Sequence, residues 1–88
     1  MRFTIEQRHL TDVNGKPISG DHEVSFHVRD AENADDAVRQ FVVSDGGEII
    51  GSVLKFPGFQ AVATVRRPTG VFYTLQVTPA SQQITFRP

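Results

Sequence analysis

Three histidines, His9, His22 and His27, lie close together near the N-terminus, with Ser25 two residues before the last of them. Imidazole binds divalent metals and moves protons near neutral pH, which makes these residues the first candidates for chemistry. Pairing of the first two strands puts His9 and His22 on the core-side face with Gln7 opposite His22, while Asp21 and Glu23 point the other way. Two histidines and an amide fall short of the three good ligands that catalytic zinc takes. Ser25 and His27 fit a nucleophile and its base by residue type. On an extended strand, however, their backbones stand about 6.5–7 Å apart on one face, and no glycine-rich elbow accompanies them.

The other chemistry-bearing residue types read the same way. Gly46, Gly47 and Gly51 resemble a phosphate-cradling loop only in composition, since they follow a helical pattern and open a strand. A phosphate loop follows a strand and opens a helix. The chain has no cysteine, which excludes thiolate catalysis, disulfides and Cys-type zinc sites. The sequence points to a non-enzymatic domain without cofactor or metal.

The elements that position these residues follow from periodicity and turn chemistry. Residues 33–43 carry Ala34, Ala37, Val38, Phe41 and Val42 in one helical stripe. Asn33 is the predicted N-cap, Asp35 and Asp36 occupy the first turn, and Gly46 and Gly47 stop the helix. Before it, Asn14-Gly15 predicts a type I′ turn between Val13 and Lys16. That register sets Ile5 opposite Val24 and Phe3 opposite Phe26 on the core face. It places Glu6 against Glu23, with Arg8 diagonal, and turns His27 outward opposite Arg2. A looser loop across residues 11–20, rich in turn formers, is the alternative.

After the helix comes a three-strand meander. Residues 48–56 and 59–66 meet at Pro57-Gly58, and Pro68 and Gly70 fit a three-residue hairpin loop before residues 71–79. This second hairpin sets Val65 beside Tyr73 and Ala63 beside Leu75, with Ala61 and Ala63 leaving room for the helix. The result is an α+β fold, ββαβββ: a five-stranded antiparallel sheet with a single helix packed on one face. Neighbouring of sequential strands favours the order 2-1-3-4-5, and 2-1-5-4-3 is equally antiparallel. Gln83–Phe86 forms a short sixth strand, or residues 79–88 are a flexible end. The 88 residues suit one compact domain, and one of this size buries only about 60–65% of its unfolded surface.

Charge then bears on partners. Residues 1–48 hold all ten acids and five bases, a net −5, whereas residues 49–88 hold four bases and no acid. The sheet face away from the helix is expected to carry Thr4, Ser25, His27, Val62, Thr64, Arg66, Phe72, Thr74 and Gln76. Lys55, Arg66 and Arg67 stand near two loop tips around the apolar pair Val62 and Phe72. These five, Lys55, Val62, Arg66, Arg67 and Phe72, are the candidate contact residues. Cover by a second subunit or another protein is the expected role, with the acidic surface of one copy against the basic loop of the next. Burial under Ile84–Phe86 is a competing cover. The alternative function is weak single-stranded nucleic-acid binding, with bases stacked on aromatic rings; a sequence pI near 6.2 weighs against it. No segment approaches the roughly 20 apolar residues of a membrane span, and Glu6 and Arg8 break any signal-like N-terminus. A cytoplasmic protein-binding module, able to form a homodimer, is the expectation.

Overall fold

The structure is a computed structural model, which describes residues 1–12, 14–18 and 24–80. Its elements are β1 (Arg2–His9), β2 (Val24–Asp30), α1 (Ala34–Asp45), β3 (Glu48–Phe56), β4 (Gln60–Arg66) and β5 (Phe72–Pro79). The strands form one antiparallel sheet in the order β2-β1-β5-β4-β3. The expected class and element order hold, but the favoured order 2-1-3-4-5 does not. Burial explains why. Strands β1, β4 and β5 each bury alternate residues completely or nearly so: Phe3 and Ile5; Ala61, Ala63 and Val65; Tyr73, Leu75 and Val77. These three belong in the middle, where the helix covers them. β3 buries no residue fully along its length and goes to an edge. Helix α1 therefore carries the chain from one edge strand to the other.

The helix forms where the sequence places it, with Ala34, Ala37, Val38, Phe41 and Val42 buried. The Asn33 side chain accepts from the Asp36 N–H at 2.8 Å, satisfying one otherwise orphaned donor. Gly46 takes the left-handed conformation, φ 78°, that ends the helix. Gly47 answers a different need: a Cβ there would lie 2.6 Å from Val65 Cγ1, so the helix end could not sit this close to β4.

The β4–β5 hairpin has the expected register, Ala63 opposite Leu75 and Val65 opposite Tyr73. Its loop closes through Arg67 N–H to Val71 O and Gly70 N–H to Arg67 O, with Gly70 at φ 92°. The β3–β4 turn is one residue longer than expected. Phe56 pairs with Gln60, and Phe59 sits at φ 60° inside the turn rather than opening the strand.

The first hairpin departs most. Asn14-Gly15 does reverse the chain, but the loop closes from Asp12 to Lys16, with Asp12 N–H donating to Lys16 O. Asp12 Oδ1 accepts from the N–H groups of Asn14 and Lys16, an Asx turn that outcompetes the two-residue type I′. Regular pairing resumes at Arg8 opposite Val24 and runs to Arg2 opposite Asp30. Phe3 thus faces Arg29, Ile5 faces His27 and Gln7 faces Ser25. The strand is displaced by three residues from the expected register, and an odd displacement turns every side chain to the opposite face. Glu6 faces Phe26, so the expected Glu6–Glu23 pairing does not form. Val13, His22 and the residues expected in a sixth strand lie outside the described residues.

Candidate interaction surface

Reversal of β2 assigns its two sets of side chains anew. Ser25, His27 and Arg29 lie under the helix, whereas Val24, Phe26 and Val28 face the open side of the sheet. Phe26 is 66% exposed and Val28 52%. Across the sheet, Ile50, Leu54 and Phe56 of β3 pair with Thr64, Val62 and Gln60 and face the same open side; Leu54 is 56% exposed. Two apolar strips thus border one solvent-facing surface, one on each edge strand. Four interstrand spacings separate them, about 19 Å. Between them runs a mostly polar band of Thr4, Glu6, Arg8, Thr64, Thr74, Gln76 and Thr78, with Val62 and Phe72 as its apolar members.

The charges of this surface are internally matched. Arg8 meets Glu6 at 2.9 Å, Arg66 meets Glu48 at 2.8 Å and Arg2 meets Asp30 at 3.8 Å. Among the described residues, the three arginines on the face each have a carboxylate partner.

The candidate residues separate onto two sides. Val62, Arg66 and Phe72 share the open face. Lys55 pairs with Ala61, which is buried in the core with the helix, so Lys55 lies on the helix side. Arg67 also lies there: its Nε and Nη2 donate to Asp45 Oδ2 and Oδ1, each at 2.9 Å. Ser25 and His27, expected on the open face, are under the helix. The strips Val24–Phe26–Val28 and Ile50–Leu54–Phe56 escaped the sequence reading. The alternation in β2 is visible in the sequence, but the type I′ register turns it to the core.

Two polar clusters occupy the helix side. In the first, Asp45 at the end of α1 accepts from Arg67 and, at 2.6 Å, from the Tyr73 hydroxyl. The Arg67 guanidinium lies 5.1 Å from the Tyr73 ring centre. Hydrogen bonds from Arg67 outweigh burial and hold the Asp45 carboxyl below the usual carboxylate range. Asp45 in turn raises the Arg67 pKa, and burial, with Asp45 second, pushes the Tyr73 phenol up.

In the second cluster, Gln7 Oε1 accepts from Ser25 Oγ at 3.0 Å and contacts His27 Nε2 at 3.1 Å, while Ser25 and His27 lie 3.2 Å apart. The His27 ring packs 4.8 Å from Phe41. Burial, then the charge of Arg29, lowers the His27 pKa and favours the neutral ring. The serine proton is directed at an amide rather than the imidazole, and no carboxylate hydrogen-bonds His27 among the described residues. Among those residues no three His, Asp or Glu side chains converge on a metal position. Among the described residues no helix is long and apolar enough to cross a membrane.

Comparison with known protein families, with curated proteins and with solved structures finds no match for this chain.

Proposed function

We propose that this chain is a non-enzymatic protein-interaction module that uses the open face of its sheet, with a second copy of itself as the default partner. The observation that carries the reading is the pair of exposed apolar strips on that face. Scattered apolar side chains are ordinary on a surface, but aligned ones on an uncovered sheet mark contact sites. A span of about 19 Å between strips is the scale of a protein partner rather than of a small ligand.

The matched charges support a protein over a nucleic acid. Phe26, Phe56 and Phe72 do supply rings on this face, yet a phosphate backbone also needs cations free to replace its counterions. Arg2, Arg8 and Arg66 are each committed to a carboxylate. The charge division of the chain is likewise answered at Arg66–Glu48 and Arg67–Asp45, so association through this face rests on apolar contact and depends weakly on salt.

Sedimentation equilibrium over a wide concentration range, at low and high salt, tests the reading. Reversible association that persists at high salt is expected. A monomer at every concentration, together with saturable, salt-sensitive binding of short single-stranded oligonucleotides, would replace it with the nucleic-acid reading.

A further inference from the structure

The two edges of the sheet are built differently. On β3 the pairing shifts between Ile50 and Leu54, leaving Gly51, Ser52 and Val53 across from Ala63, and Gly51 adopts φ 75°. Such irregularity, with Lys55 nearby, is a usual way of preventing another strand from adding to an edge. On β2 the seven residues pair with β1 without a shift, and they include no proline, glycine or lysine.

The direction of the β2 backbone follows from its existing bonds. Ala31 N–H donates to Met1 O, so odd-numbered residues bond towards β1. The carbonyls of Val28 and Asp30 instead receive the side chains of Arg29 and Gln40. Alternate residues of a strand present their polar groups to opposite sides, so Val24, Phe26, Val28 and Asp30 face the open edge.

From this edge we infer that two copies of the chain join β2 to β2 in antiparallel fashion about a two-fold axis at Phe26. The inference rests on the self-association reading and places the contact at the β2 edge of the open face, with the Val24–Phe26–Val28 strip at the seam and the β3 strip on the far edge outside it. The sequence Val24-Ser25-Phe26-His27-Val28 is nearly palindromic about Phe26. With the axis there, Phe26 opposes Phe26 and Val24 opposes Val28, each pair exchanging both N–H···O bonds. Under the helices, Ser25 of each copy opposes His27 of the other. Moving the axis to His27 would set Asp30 against Val24, and moving it to Val28 would set Asp30 against Phe26, a charge against an apolar side chain in both cases. The Phe26 register matches apolar with apolar at Val24, Phe26 and Val28. The Arg29 and Gln40 bonds to edge carbonyls are exposed and yield to backbone donors. The product is a continuous ten-stranded sheet with both helices on one side.

The chain has no cysteine, so one introduced thiol reports the register. In Phe26→Cys the two thiols oppose each other across a pair with Cα atoms about 5.5 Å apart, within disulfide range. In Val28→Cys they stand four residues apart along the strands, about 13 Å, beyond that range. Oxidation is expected to give covalent dimers from Phe26→Cys, and little from Val28→Cys or from Leu54→Cys on the opposite edge. Phe26→Lys sets like charges on the axis and raises the dimer dissociation constant about tenfold or more. Phe26 is exposed, so circular dichroism should show the monomer fold intact. A wild-type dimer indifferent to Phe26→Lys and cross-linking at another position would overturn this interface while leaving self-association standing. A wild-type monomer at every concentration would overturn both.

Discussion

Beneath the helix lie two polar clusters with opposite bonding economies. At Asp45 both carboxylate oxygens are used, by a cation and a phenol, and the three groups join α1 to the loop and the second strand of the β4–β5 hairpin. At Gln7 one oxygen serves two neutral neighbours, while the amide nitrogen has no hydrogen-bond partner among the described residues. The first cluster behaves as a clasp, because its charge-assisted bonds fix geometry and are costly to break. The second tolerates polarity without extracting much stability from it. The contrast places the firm side of the domain at β4–β5 and the permissive side at β1–β2, where the β2 edge lies.

The sharpest way to break this contrast is Asp45→Ala. It strands the Arg67 guanidinium and the Tyr73 hydroxyl together in a partly buried site. Urea unfolding is expected to show a loss of about 2–3 kcal/mol, from lost charged hydrogen bonds and unmet donors. A loss below about 0.5 kcal/mol would show that water replaces the carboxylate freely and that no clasp exists. Tyr73→Phe is gentler. It keeps the buried ring and its edge-on contact with Phe41, removes one hydrogen bond, and should cost about 1 kcal/mol, read as a fall in Tm.

The pH dependence separates the clusters. The His27 pKa is lowered in the fold, so below its ordinary value near 6.5 the unfolded chain takes up the proton more readily. Stability from this residue is present above that pH and is lost as pH falls below it. Asp45, also lowered, contributes stability above the ordinary carboxylate range and loses it as pH falls through its folded value. A stability profile should therefore fall in two steps on acidification, and His27→Gln should flatten the upper step alone.

The firm side was also the legible one. Pro68 and Gly70 select a loop type, the loop sets a register, and the alternation of Ala61 to Val65 and Tyr73 to Val77 agrees with it, so local and global signals coincide. The helix was readable for the same reason. The Asp45–Arg67 link was not, since a charge count shows that opposite charges exist but not which ones meet across 22 residues. On the permissive side the rule that apolar alternation faces the core failed. Val24, Phe26 and Val28 face outward, and the tip loop, separated from β2 by residues 19–23, does not transmit its register to the strand. Of the candidate contact residues only Val62, Arg66 and Phe72 share the open face, because Lys55 pairs with Ala61 on the helix side and Arg67 reaches Asp45; placing Phe26 inside hid the most exposed apolar side chain of that face. Departure from local rules is expected at an interaction surface, and the strand that departs from them is the one that carries the proposed interface.

The smallest expected effect is the most discriminating for the second cluster. Gln7 is 4% exposed, and ordinarily replacing a buried, bonded amide by an apolar group leaves its partners unmet at about 1–3 kcal/mol each. Here Ser25 and His27 lie within 3.2 Å of each other, and both are only partly buried, so each retains a partner or water when the amide goes. Leucine nearly preserves volume and removes a nitrogen that lacks a protein partner among the described residues. Gln7→Leu should then change stability by less than about 0.5 kcal/mol, the gain from deleting an unmet donor offsetting the two lost bonds. A loss near that of Asp45→Ala would mean that the Gln7 nitrogen is satisfied and that the two clusters are alike.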